Sequence, residues 1–497
     1  MAESVTVLAS GGQVRVVARN TASSIATKAG TLVGTLAFTA LLSRYAGAAG
    51  FGQYAYALSV ASLLGMLVQF GLDQVAIRDL AQGNIEPAEM FGQTLVIQAG
   101  LAALCSTGIV LLAAQVGMTT EMKLVILAVS VQVFLEAMNI TLISLFRARE
   151  RMEYEAAVTW LWCALLVALT GLGVYLHLSL PILLGLAGLS YAVRLGAVYC
   201  LIRYHFCVVG ILKWVRPRRT LVAAALPFVG MTWSSMLYNM YPRLMIGHFF
   251  PAREIGLYAA AERIVQLLVG LFIVVDMVVF PVFAKQIQIS RQKFAMTYRF
   301  VADAFMVGGL LVGLVLAAFA KEMIMVLYGA EFAPSLAVLV LLIPTISMGI
   351  PGFVSTRALI ALRRERLLAL WTGAMVSLGI GVTWFSAPRW ELVGVAAGWA
   401  FPIALGFVFF FIFIRRELRL PWATWPYAIY FSTFAGAFAV SYLVHTQTLV
   451  VRLVTHAVLI AGLSSCYLLS GLVRMQDVID LVQSLVRSKK NVGVVQS

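Results

Sequence analysis

Charge is what this sequence has least of. Of 497 residues only 11% are Asp, Glu, Lys or Arg, against 62% apolar residues. A soluble chain carries about 25% charged residues, so these few could not cover a folded surface of this size in water. Cysteine is nearly as scarce: Cys105, Cys163, Cys200, Cys207 and Cys466 stand singly, mostly inside apolar runs, with no Cys-x-x-Cys spacing. That pattern excludes a disulfide framework and a thiolate metal site, and reads as small apolar packing. The five histidines (His177, His205, His248, His445 and His456) form no metal-spaced pair, and no phosphate-binding glycine loop occurs, so no cofactor is expected. Long polar connections are missing as well. The longest runs from about 203 to 220, too short for a soluble catalytic domain. The first 25 residues lack a basic n-region leading into a short apolar core and a small-residue cleavage site, so insertion is expected to start from an uncleaved first helix.

What is present is apolar length. A membrane helix needs roughly 20 predominantly apolar residues, and charged or turn-rich breaks divide this chain into fourteen such runs. They fall near 24–43, 52–72, 91–116, 124–146, 156–176, 180–202, 221–248, 255–283, 302–320, 335–360, 367–386, 392–414, 425–445 and 449–472. The runs are continuously apolar without two-residue alternation, which excludes a β-barrel. The expected fold is all-α and polytopic.

The net charge of +15 would suggest nucleic acid in a soluble protein. Its placement says otherwise. With the N-terminus in the cytoplasm, 26 of the 36 Lys and Arg count to the cytoplasmic side, Lys28 near the start of the first span and Arg415 among them. Six count to the outside, Arg452 near the start of the last span among them, with Arg194, Arg243, Arg263 and Arg357 deeper inside spans. This is the positive-inside pattern repeated loop after loop, and it predicts that both ends are cytoplasmic. After Arg474, Val478, Leu481, Val482, Leu485 and Val486 recur at helical spacing ahead of Arg487, Lys489 and Lys490. The pattern suits a basic amphipathic tail over 474–497 lying on anionic lipid, although solvated basic ends would read the same way. The stretch 208–219 resembles it.

One segment recurs. Phe-Gly-Gln-Tyr-Ala-Tyr-Ala at 51–57 aligns with Ile-Gly-Leu-Tyr-Ala-Ala-Ala at 255–261, pairing Gly52 with Gly256, Tyr54 with Tyr258, Ala55 with Ala259 and Ala57 with Ala261. Each copy opens the second helix of a six-helix set. The halves therefore read as parallel repeats with a substrate cavity between them: an N-terminal lobe at 1–220 and a C-terminal lobe at 221–420, followed by two further spans at 421–473.

The strings at 41–57, 70–81 (Phe-Gly-Leu-Asp-Gln-Val-Ala-Ile-Arg-Asp-Leu-Ala), 256–264 (Gly-Leu-Tyr-Ala-Ala-Ala-Glu-Arg-Ile) and 327–332 (Leu-Tyr-Gly-Ala-Glu-Phe) resemble the Wzx-type polysaccharide and lipid-linked oligosaccharide flippases. These belong to the multidrug/oligosaccharidyl-lipid/polysaccharide exporter superfamily and are related to the lipid II flippase, which also has fourteen spans. The resemblance implies a multi-pass protein of the bacterial cytoplasmic membrane working by alternating access of two lobes. It implies a lipid-linked oligosaccharide substrate, membrane lipids as surroundings, and a polysaccharide polymerase or other export proteins as partners. By the same resemblance, the last two spans would line a groove for the lipid tail. The chain departs from the family where members often carry an Asp in span 7: here Pro242 is followed by Arg243.

Charges at membrane depth are expensive, roughly 2.5 to 3.5 kcal/mol at a helix centre, and are expected to face a cavity or each other. Arg263 is the sharpest candidate. The resemblance implies that it contacts the pyrophosphate with Glu262 positioning it, and a guanidinium stays charged and bonds phosphate bidentately. Adjacent helical residues point about 100° apart, however, so Glu262 and Arg263 cannot both face one point. Arg243, Arg357 and Arg44 are head-group candidates near the mouths. Asp276 and Glu136 are candidates for ion coupling or pairing with an arginine, and Asp303 is expected to be solvated at the cytoplasmic end of span 9. Asp73 and Arg78 are expected to fix a cytoplasmic loop. Two other functions compete: a cation-coupled multidrug exporter of the same superfamily, and a polymerase or ligase, which would need a large outer loop.

Overall fold

Helix is the form in which an apolar run can satisfy its own backbone N–H and C=O groups in hydrocarbon. The computed structural model describes the backbone of residues 11–83, 85–115, 118–206, 219–420 and 424–469, and within these it does not describe the side chains of some stretches, including 226–235 and 270–282. Among the described residues all regular structure is helical. The first half contains α1 (Gly11–Gln69), α2 (Leu72–Ala81), α3 (Pro87–Gln115), α4 (Thr120–Ala148), α5 (Met152–Tyr175), α6 (Leu180–His205) and α7 (Arg219–Phe249). The second contains α8 (Ala252–Ile289), α9 (Arg291–Leu327), a 3-10 turn (Ala330–Phe332), α10 (Ser335–Ala361), α11 (Glu365–Glu417), α12 (Thr424–Val444) and α13 (Leu449–Leu469).

Two of these are double helices in disguise. α1 bends at Gly47, whose φ of 65° lies in the left-handed region that a residue without Cβ enters freely. α11 bends at Trp390 and Glu391, just past Pro388. Splitting both and setting aside the ten-residue α2 leaves, among the described residues, fourteen long helices that match the apolar runs one for one. Ten described segments are long and apolar enough to cross a membrane, with Arg19–Ala81 and Arg366–Glu417 each spanning a bend. The amphipathic segments expected at 208–219 and in the tail 474–497 lie outside the described residues, apart from Arg219, which begins α7.

The segment 72–81 is a helix rather than the expected loop. Its Leu72, Val75, Ala76 and Leu80 are buried at helical spacing against Met90, Phe91, Phe146, Val198 and Ile202, and Asp73 is buried with them. An amphipathic ten-residue piece gains its stability from that packing, since so short a helix does not persist alone.

By contacts the chain separates into two compact units, Met1–Ala259 and Ala260–Ser497. In the first, α1 packs on α4, α5 and α7, and α6 lies against α4 and α5. In the second, α10 packs on α9 and α11, with α12 and α13 against α9. The second core is aromatic: Phe283, Phe294, Tyr298 and Phe410 close on Val354, Ala358 and Ile414.

Candidate functional site: charges within the membrane helices

In the first unit one buried acid–arginine pair is used in helix packing. α4 presents Gln132, Glu136 and Asn139, spaced so that all three share one helical face, and each bonds α6. Gln132 Nε2 donates to the Leu184 carbonyl at 2.6 Å and Asn139 Nδ2 to that of Tyr191 at 3.2 Å. Between them, Arg194 Nη1 donates to both Glu136 oxygens, at 3.0 and 2.8 Å. Its Nη2 reaches Thr159 Oγ1 on α5 at 3.3 Å, and the guanidinium lies 5.4 Å from the Trp162 ring. Arg194 is 6% exposed. Glu136 is thus the counter-charge of a buried arginine within a polar seam.

Arg263 is held differently. On α8, Gln266 sits one turn on from both Glu262 and Arg263, and its amide serves each: Nε2 donates to Glu262 Oε1 at 2.8 Å, while Oε1 accepts from Arg263 Nη1 at 3.4 Å. The glutamine resolves the angular problem of adjacent charges, because it stands between their two directions. Glu262 is buried, at 1% exposure. Arg263 is partly buried, and its Nε has no hydrogen-bond partner among the described residues. Nothing in the apolar spacing of the sequence marked Gln266. Its offset of four from Glu262 and three from Arg263 was the available signal.

The remaining candidates stand on separate helices. Arg44 is exposed on α1 before the Gly47 bend, Arg243 is buried on α7 directly after Pro242, and Arg357 is partly buried on α10. Asp276 belongs to α8, but its side chain lies outside the described residues.

The second unit holds a buried ionic network that sequence reasoning missed. Asp303 is 4% exposed, not solvated. Tyr427 on α12 donates its hydroxyl to the Asp303 carboxylate, 2.8 and 3.0 Å from its two oxygens, and Arg415 Nη1 donates to that same hydroxyl at 2.6 Å. Arg415, counted among the cytoplasmic bases, is 1% exposed and lies over the Tyr427 and Phe411 rings at 4.3 and 5.0 Å. Arg299 completes the group, 3.6 Å from Asp303 Oδ2. Near the other end of α9, Arg452, counted among the outer bases, is buried in α13; it donates to the Ala318 carbonyl at 2.9 Å and to Glu322 at 2.5 Å. The last two helices are therefore fastened to α9 by charged groups near both its ends.

The repeated glycines meet each other. A methyl group on Gly52 would overlap the Ala252 carbonyl and press on the Gly256 nitrogen; one on Gly256 would overlap the Ala48 carbonyl and press on the Gly52 nitrogen. The pairs 48/252 and 52/256 carry the same 204-residue offset as the sequence repeat, so the two copies cross backbone to backbone about a local two-fold. Tyr56 packs on Gly247 beside them.

With this geometry in place, likeness to known proteins becomes informative. The model of a family described as polysaccharide biosynthesis protein matches residues 17–288, more than half of the chain. No match was found among curated protein sequences. Among solved structures, the lipid II flippase MurJ in an inward closed conformation superposes with a TM-score of 0.66 at 14% identity, covering 90% of this chain and 98% of its own. An inward-facing multidrug resistance MATE family transporter of the MOP superfamily gives 0.61 at 15% identity, covering 78% and 94%. The Vibrio cholerae MATE transporter VcmN, in its bent form, gives 0.53 at 16%, covering 82% and 98%. At such identities these likenesses establish the fold.

Proposed function

Because the chain belongs to the polysaccharide biosynthesis protein family and has the MOP-superfamily fold, we propose that it flips a polyprenyl-pyrophosphate-linked oligosaccharide across a bacterial cytoplasmic membrane for cell-surface polysaccharide synthesis. In this reading 1–220 and 221–420 are the two repeats that rock in alternating access, 421–473 adds the two helices beside the lipid tail, and both termini are cytoplasmic. The protein performs no bond chemistry; its work is to shelter a charged head group while the polyprenyl chain stays in lipid.

The observation that carries the reading is Arg263. A guanidinium in a membrane helix, held among the described residues by one 3.4 Å hydrogen bond, is poised to exchange a weak contact for bidentate bonds to a phosphate. Glu262, fixed by Gln266, supplies the compensating charge when the site is empty. Arg243, Arg357 and Arg44 would meet the head group at other stages of its passage. A polymerase or other export protein would take the product outside.

The test is in-cell. Deletion should cause a lipid-linked oligosaccharide to accumulate on the inner leaflet. Arg263→Ala should fail to relieve that accumulation, and Arg263→Lys should relieve it in part. Full transport by Arg263→Ala removes this residue from the site. Drug sensitivity on deletion, with an intact envelope and no accumulated intermediate, would favour the multidrug exporter instead.

A further inference from the structure

Four arginines from two distant parts of the second unit converge on one cavity of about 980 Å3. Arg291 and Arg299 come from the first turns of α9; Arg416 ends α11, and Arg419 lies in the turn that follows. The turn is fixed by its backbone: Arg419 N donates to the Arg416 carbonyl at 3.1 Å and Leu420 N to that of Arg415 at 2.9 Å, with Arg419 in the left-handed region at φ 53°.

One carboxylate lines the cavity, and it is already committed. Glu417 Oε1 accepts from Arg291 Nη2 at 3.1 Å and from Arg364 Nη2 at 3.1 Å, while its backbone carbonyl accepts from Arg291 at 2.8 Å. Arg416 and Arg419 are exposed and form no ion pair among the described residues. Arg299 is tied at 3.6 Å to Asp303 and so to the buried Tyr427–Arg415 group. The first turn of α9 adds the positive end of a helix dipole. The wall is mixed: Ala295, Leu418 and Leu420 line it, together with Met296, which is 59% exposed. Solvated basic loop ends would repel one another and splay apart. Here rigid helix ends hold them around a common space.

We propose that this cavity binds a phosphate group, with Arg416 and Arg419 as its principal donors, at the membrane boundary of the second unit. The guanidinium fork matches phosphate oxygens two at a time. An anionic phospholipid head group and a soluble phosphate compound share this chemistry, and the exposed Met296 beside the arginines suits the glycerol end of a lipid. The site is separate from Arg263 and does not depend on what is transported.

Native mass spectrometry of the full-length protein tests it. The wild type should bind dioleoylphosphatidylglycerol on the order of tenfold more tightly than dioleoylphosphatidylcholine. The Arg416→Gln/Arg419→Gln variant should lose that preference. Arg203→Gln/Arg366→Gln, which removes the same charge from exposed residues off the cavity, should keep it. Millimolar inorganic phosphate that displaces the lipid from the wild type assigns the site to a free phosphate compound; lipid that stays bound assigns it to the head group. Equal behaviour of the two double variants, or no preference in the wild type, overturns the proposal.

Discussion

Two acid–arginine pairs within membrane helices of this protein are built in opposite ways. Arg194 and Glu136 face each other from different helices, with two hydrogen bonds near 3 Å, a third to Thr159 and an aromatic ring alongside. Glu262 and Arg263 are neighbours on one helix, both bonded to Gln266, and among the described residues the arginine's share is one 3.4 Å bond. The first arrangement uses charge to hold helices together. The second keeps charge in the membrane without exhausting it. A buried ion pair gains little over a well-packed apolar one, whereas breaking it leaves a charge that nothing compensates. The loosely held arginine is therefore the one we propose a ligand recruits.

Mutations can break that contrast at successive strengths. Glu136→Leu leaves Arg194 buried without its counter-charge and should cost about 3–5 kcal/mol, read as a large fall in the melting temperature of the purified protein, while Glu136→Leu/Arg194→Met should recover most of it. A double variant as unstable as the single would mean that the carboxylate does more than pair. Gly256→Ala forces a methyl into the Ala48 carbonyl and should cost about 1–3 kcal/mol by overpacking, with transport falling too; unchanged melting would show that the helices part freely. Tyr427→Phe removes the hydroxyl shared by Asp303 and Arg415, which should cost about 1–2 kcal/mol in the same assay. The smallest shift in stability belongs to Arg263→Gln, at under about 1 kcal/mol because among the described residues one weak bond is lost, while the flipping proposed above should be abolished. Destabilisation comparable to that of Glu136→Leu would erase the distinction between the pairs.

The fourteen helices were legible because a bilayer demands one property, apolar length, which local sequence carries in full. Even the Gly47 bend lies inside the glycine-containing string at 41–57 that carries the family resemblance. Burial of charge near helix ends was not legible. Asp303, Arg415 and Arg452 stand where an apolar run gives way to polar residues, and such a position reads the same whether the side chain faces water or a neighbouring helix. Their partners lie far along the chain: Tyr427 is 124 residues from Asp303, and Glu322 is 130 from Arg452. The α2 segment failed for a related reason, since ten residues with charges at both ends resemble a loop until their buried face is seen. The repeat disclosed which glycines correspond; that the corresponding glycines touch is a property of three dimensions.

That contact has a mechanical consequence. Where Gly52 and Gly256 cross, the surfaces that meet are backbone, with no side-chain rotamers to lock or release. Interdigitated side chains act like gear teeth and must disengage together before helices can slide or tilt. A glycine crossing is closer to a plain bearing: smooth, held by many small dispersion contacts and weak Cα–H···O bonds, and equally well formed each time it closes. Because both faces of the bearing come from the same repeated string, wear in one copy cannot be offset in the other without reshaping the joint.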